Sequence, residues 1–78
     1  MANRRVYHVI SFGDLGWKVE LAGSGDSEGR LFELKTQAIE HAKLLAQAAE
    51  RGQVVIHDRS GRIQTEYTYG HGPVRKVG

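Results

Sequence analysis

The chain has no cysteine, only one proline and one tryptophan, and no long run of apolar residues. Without cysteine it can form neither a disulfide framework nor a thiolate metal site. No apolar stretch approaches the roughly 20 residues that a membrane-spanning helix needs, and the opening MANRRVYHV has no apolar signal-peptide core. The lack of cysteine fits a reducing compartment, so we expect a cytoplasmic protein with no membrane partner.

Length and net charge further narrow the class of protein to which this chain can belong. The 78 residues predict one domain, and a chain of this size buries only somewhat more than about 60% of its unfolded surface, so self-association would add useful burial. The net charge is only +2, from 11 basic and 9 acidic residues, whereas a dedicated nucleic-acid binder usually concentrates basic residues on one face. The basic residues form three clusters, and whether these converge on one face depends on the fold. The clusters are Arg4 with Arg5, Arg59 with Arg62, and Arg75 with Lys76.

One amphipathic helix is predicted over residues 34–51. At about 100° per residue its apolar residues form a single stripe, and strong helix formers fill the segment. A stripe made mostly of alanine allows close approach to a flat partner, which favours a sheet over a second helix. The stripe comprises Ala38, Ala42, Leu45 and Ala49, with Ile39 and Ala46 on its flanks.

The ends of this helix carry different signals. At the start, either Thr36 is the N-cap through its hydroxyl, or Leu34 takes that position with Gln37 at the third helical position. At the end, Gly52 follows Arg51 and is typical of a left-handed residue just beyond a helix. Arg51 would then place a positive charge at the negative end of the helix dipole.

Five segments rich in alternating or β-branched apolar residues predict strands. A glycine-containing turn separates the first two, and the turn at 58–61 separates the last two, with Gly61 suited to a left-handed conformation. The order β-β-β-α-β-β with short turns predicts an α+β fold, a mostly antiparallel sheet with one helix packed on one face. The strands are predicted at residues 6–12, 17–21, 30–34, 53–57 and 62–69.

The single α+β domain is therefore predicted to cover residues 6–69. Residues 1–5 before it are expected to fray. The tail at 70–78 contains Pro73 and three glycines outside any periodic pattern, which excludes a helix. This tail is either flexible or docks against the sheet edge of another subunit.

Four short motifs follow one another along the chain: YHV at 7–9, GW at 16–17, KTQAI at 35–39 and VIHDRSGRIQTEYTYG at 55–70. With Pro73 and Arg75 after them, they resemble the bacterial domain-of-unknown-function family 2188 over nearly the whole chain. The resemblance implies a small stand-alone domain of the predicted fold and brings no established activity. Leu34 stands where similar sequences usually have threonine or serine, which favours Thr36 as the substitute cap.

The turn at 58–62, DRSGR, is the most suggestive binding feature, because Arg59 and Arg62 could hold a phosphate bidentately. Tyr67 and Tyr69 share one face of the last predicted strand. If that face is open they could stack on bases, but alternating aromatic residues more often belong to a core, and we favour packing under the helix. The predicted binding surface is completed by His57 before the turn and by Arg75 and Lys76 in the tail.

The histidines and acids suggest little chemistry. A metal site needs three or four converging ligands, and His8, His57, Asp58 and His71 have no spacing that predicts convergence. His57 and Asp58 are neighbours in an extended segment and point to opposite faces, which argues against a catalytic pair. Because the chain also lacks a nucleophile elbow and a phosphate loop, we expect no enzyme activity, no cofactor and no metal.

Two functions are therefore predicted. The first is a non-enzymatic binding module, monomeric or homodimeric, that contacts nucleic acid or a partner protein through the 58–62 hairpin and the adjacent sheet. The alternative is a structural or accessory module that self-associates through its helix-free sheet face or edge. Tyr7, Val9 and Leu44 are the apolar residues that the sequence leaves over for such a contact.

Overall fold

A computed structural model of the chain describes residues 4–23 and 29–70, and within them it shows five strands and one α-helix. A short 3₁₀ helix at Gly13–Leu15 joins the first two strands. The predicted element order and the α+β class are confirmed, with element ends shifted by a few residues. The elements are β1 (Arg5–Ser11), β2 (Trp17–Leu21), β3 (Arg30–Phe32), α1 (Lys35–Ala48), β4 (Arg51–His57) and β5 (Ile63–Gly70).

The strands form one sheet in the spatial order β3-β2-β1-β4-β5. All neighbouring pairs are antiparallel except β1 and β4, which run parallel in the middle of the sheet. The sheet is thus mostly antiparallel, as predicted, but its central pair was not foreseen. The reason is topological: α1 carries the chain from the β3 edge back over the sheet, and such a crossover lets β4 align in parallel beside β1.

One face of the sheet lies under α1 and holds the core. Strand register places Tyr7 and Val9 of β1 on this helix-covered face, so the proposal that they are spare residues for self-association is wrong. The predicted stripe is confirmed at Ala38 and Ala42, which are fully buried together with Ala46 from its flank. Ala49 was wrongly placed in it, because this residue is the half-buried C-cap beyond the helix. The buried strand residues beneath α1 are Tyr7, Val9, Trp17, Val19, Val54 and Ile56, with Leu21, Phe32, Ile39, Leu45 and Tyr69 packed around the margin.

The start of α1 settles the capping alternatives. Leu34 is the N-cap residue, and its backbone N–H donates to Oε1 of Gln37 over 3.4 Å. Because leucine has no side-chain acceptor, only this half of a capping box can form. Thr36 lies inside the first turn, so its assignment as the cap is wrong.

The end of α1 differs from the prediction. The helix stops at Ala48, Ala49 is its C-cap, and Arg51 and Gly52 already belong to β4. Gly52 does not have the left-handed φ that was predicted; the left-handed glycine of this half of the molecule is Gly61, as predicted for the hairpin turn, with φ +94°. Gly52 is instead needed because β4 passes close to the end of α1, and a Cβ at this position would lie 2.1 Å from the carbonyl oxygen of Ala46.

Candidate functional site

The turn between β4 and β5 is built around the carboxylate of Asp58. Its Oδ1 accepts hydrogen bonds from the hydroxyl of Ser60 at 2.7 Å, the backbone N–H of Ser60 at 2.9 Å and the backbone N–H of Arg62 at 3.0 Å. The Ser60 hydroxyl, followed by the Arg62 N–H, lowers the pKa of Asp58 below its usual 3.8. These bonds fix the turn and direct the carboxylate toward its own backbone rather than toward the neighbouring arginines.

Arg59 projects from this turn toward the helix-covered face. Its guanidinium carbon lies 5.5 Å from the centroid of the Trp17 ring, and Nζ of Lys35 lies 4.6 Å from the same centroid. Trp17 is only 5% exposed, so the ring serves as a platform beneath the two cations and cannot itself stack on a ligand. Around them is an open groove of about 690 Å³, lined by Trp17, Glu33, Leu34, Lys35, Asp58, Arg59 and Ser60.

A third cation continues this line along the flank of the helix. Nζ of Lys43 lies 4.2 Å from the centroid of the Tyr67 ring on β5, while Lys35 donates to Oε1 of Gln64 on the same strand. Lys35 and Lys43 are eight residues apart, about two helical turns, and therefore lie on one flank of α1. We call Lys35, Lys43 and Arg59 the basic seam.

No carboxylate neutralises the basic seam within the part of the chain that the structure describes, where the one ion pair joins Lys18 to Glu20 at 3.2 Å. Glu33 and Asp58 line the groove but form no ion pair with Lys35 or Arg59. Aromatic rings thus hold the three cations in place while leaving their charge available to an anion.

The other sheet face is not covered by any described element, and we call it the open face. Its centre, on β1 and β4, carries Val6, Ile10 and Val55, and Val55 is only 5% exposed. Polar side chains flank this centre: Lys18 and Glu20 on β2, and Glu66 on β5, which accepts from Nε2 of Gln53 at 3.0 Å. An apolar centre within a polar rim is the usual composition of a protein contact surface.

Two histidines meet on the open face. His8 on β1 and His57 on β4 have stacked rings, with Nδ1 of His8 3.0 Å from Nε2 of His57. His57 Nδ1 lies 3.1 Å from the carbonyl oxygen of Gly61, which can only accept, so this nitrogen carries the proton. His57 Nε2 is then an acceptor, and His8 donates to it through Nδ1–H. Burial, followed by the nearby His57, lowers the pKa of His8, although Glu20 acts in the opposite direction.

The structure separates the predicted binding residues onto two faces. Arg59, Tyr67 and Tyr69 lie on the helix side, whereas His57 lies on the open face. The tyrosines do not lie on an open face for base stacking: Tyr69 packs against the core, and Lys43 lies over the ring of Tyr67, which is 38% exposed. Arg62 anchors the turn through its backbone. Arg75, Lys76 and His71 lie outside the described residues.

Sequence reasoning missed Lys35 and Lys43 as members of the basic seam, and it named His8 and His57 without predicting that they meet. The spacing of Lys35 and Lys43 on one helix flank was visible, but nothing in the sequence showed that this flank faces β5. His8 and His57 are 49 positions apart and meet only because β1 and β4 pair in parallel. The 49-residue separation carries no local signal.

Comparison with known proteins gives a family and no activity. A family described as uncharacterised proteins conserved in bacteria (DUF2188) matches residues 7–69, which include every element from β1 to β5. The chain belongs to this family. The resemblance found in its motifs is therefore confirmed. Neither the curated proteins nor the solved structures include a significant match to this DUF2188 chain.

Two kinds of site are absent from the described residues. Across residues 4–23 and 29–70, no helix combines the length and apolarity needed to cross a bilayer. The same residues contain no group of three or more histidine, aspartate or glutamate side chains placed to hold a metal ion together.

Proposed function

We propose that this DUF2188 domain is a non-enzymatic binding module that holds the phosphate backbone of a nucleic acid along the basic seam. The observation that supports the proposal most directly is the alignment of Lys35, Lys43 and Arg59 without a neutralising carboxylate among the residues that the structure describes. Most protein contacts to nucleic acid go to phosphate and sugar, and these contacts need no particular base sequence.

The seam is suited to phosphate because its cations are already positioned. Long basic side chains normally lose rotamer entropy when they bind, and the contacts with Trp17 and Tyr67 reduce that loss. Arg59 adds a planar fork of N–H donors that matches two phosphate oxygens. The turn that carries Arg59 is itself fixed by the three bonds to Asp58.

Catalysis is a poorer fit to this groove. The Ser60 hydroxyl donates to Asp58, and no histidine is among the described residues that line the groove to act as a general base. The Asp58 carboxylate that accepts the Ser60 proton is a weak base because its pKa is lowered, so it activates the hydroxyl poorly at neutral pH. Binding without reaction is the function that this set of side chains supports.

Fluorescence anisotropy with a labelled duplex and a labelled single strand of about 20 nucleotides tests the proposal. Three phosphate contacts predict that log Kd changes with log salt with a slope magnitude of about 2.7 for duplex DNA and about 2.1 for a single strand. Arg59→Gln or Lys43→Gln should each reduce the slope by roughly one contact. Lys18→Gln removes the same charge on the open face and should leave the slope unchanged.

Equal loss of binding in Lys18→Gln and Arg59→Gln would show that binding depends only on net charge, and the basic seam would then not be the binding site. Absence of binding at about 20 mM salt would remove the nucleic-acid function altogether, since electrostatic affinity is greatest there.

A second function, self-association through the open face, is favoured by the apolar centre and polar rim of that face. Phe12, Leu31 and Ile63 are exposed, and Ile10 and Val6 are half-buried without a covering layer in the described residues. Light scattering over a wide concentration range tests this function. Ile10→Glu should convert a dimer to a monomer because it would bury an unpaired charge, whereas Leu44→Glu on the outer side of α1 should not.

A further inference from the structure

The geometry points to a binding site for a divalent transition metal ion on the open face, formed by Nδ1 of His8 and Nε2 of His57. These two nitrogens are 3.0 Å apart and share one proton. The site lies on the opposite face of the sheet from the basic seam, so it does not depend on nucleic-acid binding. It also runs against the expectation from sequence spacing, because the parallel pairing of β1 and β4 brings the two imidazoles together.

The separation of the two nitrogens is close to the distance between two nitrogens that bind the same small metal ion. Zinc–nitrogen bonds of about 2.0–2.1 Å at a tetrahedral angle separate two ligating nitrogens by roughly 3.3 Å. The observed 3.0 Å is a few tenths of an ångström short of this, a difference that small side-chain rotations supply. On binding, the metal replaces the proton between the rings: His8 gives up the proton on Nδ1 and takes one up from solvent on Nε2, so its imidazole stays neutral and no net proton is released.

The surroundings of His57 resemble those of a metal ligand in proteins. Histidines that bind metal commonly donate the other ring N–H to a backbone carbonyl, which fixes the tautomer and the ring orientation. His57 makes this bond from Nδ1 to the carbonyl oxygen of Gly61 at 3.1 Å, leaving Nε2 as the free electron pair. The fixed Asp58 turn in turn holds Gly61, whose N–H donates to the Asp58 carbonyl at 3.0 Å.

The charged groups around the pair are compatible with a cation. Glu20 on β2 is the direct cross-strand neighbour of His8 on the open face, and Glu66 lies opposite Val55 on β5. Lys18 is the nearby cation on β2, and it pairs with Glu20. Two carboxylates against one paired lysine leave a local excess of negative charge on this side of the sheet, which favours a cation.

The ligand set selects the class of ion. Imidazole nitrogens suit Zn²⁺, Cu²⁺ and Ni²⁺, whereas Ca²⁺ and Mg²⁺ require a shell of oxygen ligands. Because no group of three or more ligating side chains converges among the described residues, the described chain supplies two ligands and water completes the coordination. His8 and His57 are both half-buried, so each side chain keeps some exposed surface that water can reach.

Calorimetric titration with Zn²⁺ and Ni²⁺ tests the site on the full chain prepared without a histidine tag. The expected result is saturable binding of one ion per chain, with affinity at least about tenfold lower in His8→Ala and in His57→Ala. His41→Ala is the matched control, since His41 lies on the helix side against Phe32, and His71→Ala controls for the tail. Both controls should bind as the unmodified protein does.

A second measurement works even if a variant fails to fold. In the unmodified protein, Zn²⁺ should shift the imidazole NMR signals of His8 and His57 and leave those of His41 in place. Binding unaffected by His8→Ala and His57→Ala, shifts confined to His71, or no saturable binding at millimolar metal would each overturn the assignment.

Discussion

Gly52 lies directly against the carbonyl oxygen of Ala46, where strand β4 passes the end of helix α1. A Cβ at Gly52 would lie 2.1 Å from that oxygen and 2.6 Å from the Ala46 carbonyl carbon and Cα. All three atoms are backbone, so no side-chain rotation can relieve the clash. We therefore predict that Gly52→Ala lowers the free energy of unfolding by about 1–3 kcal/mol through overpacking, measured by urea denaturation.

Gly70 provides the matched control for this change. It also lies in a strand, β5, but a Cβ there would have no neighbour within 4 Å among the described residues. Gly70→Ala should leave the free energy of unfolding within about 0.5 kcal/mol of the unmodified value. Equal destabilisation by both substitutions would show that loss of glycine in a strand, rather than contact with α1, is responsible.

The alanine stripe sets the distance between α1 and the sheet. Ala42 has no exposed surface and lies in the middle of that contact. Ala42→Leu should cost about 1–3 kcal/mol because the added atoms must displace α1 from the strands. Ala48→Leu makes the same change at an exposed position of the same helix and should be nearly neutral. Thermal unfolding of the two variants measures the difference, and equal melting temperatures would contradict the expectation.

Acid should weaken the β4–β5 turn through Asp58. Hydrogen bonds to Ser60 and Arg62 lower the pKa of this carboxylate below 3.8, so the folded state binds its proton less readily than the unfolded state. The stabilisation is therefore fully present above pH 3.8 and is lost as pH falls through the folded-state pKa. Urea denaturation from pH 6 to pH 2 should show Asp58→Ala less stable than the unmodified protein at pH 6, with the gap narrowing below pH 3.8. A gap that stays constant down to pH 2 would exclude a contribution from the charged carboxylate.

Glu33 opposes the proposed phosphate contact, since its charge lines the same groove as Lys35 and Arg59. Removing an exposed like charge changes an interaction by about 0.3–1 kcal/mol, or roughly two- to fivefold in affinity. Glu33→Gln should therefore tighten nucleic-acid binding by that factor in the anisotropy titration at low salt. Glu50→Gln, an equal charge change at the far end of α1, is the control. Equal tightening by both would attribute the effect to net charge.

Apolar patterns within short segments predicted the helix and the strands, because the burial of one side of each element determines its own pattern. The alternation in Trp17–Leu21 reproduces strand β2 at both ends, and the alanine periodicity identifies the buried stripe of α1. Both signals depend only on which side of one element is apolar. The class of the fold followed from adding such elements in order.

Long-range relationships were the part that sequence could not supply. A glycine after a helical pattern predicts a left-handed cap, but Gly52 is required because α1 and β4 approach each other closely. A left-handed cap and a close approach both call for glycine, so the sequence alone does not distinguish them. Likewise, alternation placed Tyr7 and Val9 on one face of β1 but could not say which face α1 would cover. The basic seam and the histidine pair both depend on that choice.

The parallel contact between β1 and β4 also determines the order in which the molecule can assemble. The β1–β2 hairpin and the turns of α1 rely on close neighbours in the chain, whereas His8 and His57 meet across 49 positions. Closing so long a loop costs entropy before any contact is gained, and sheets built this way fold slowly. On a ribosome, the parallel β1–β4 contact in the middle of the sheet therefore forms only after β4 has been synthesised. The β1–β2 and β4–β5 hairpins on either side of that contact can each form independently of it.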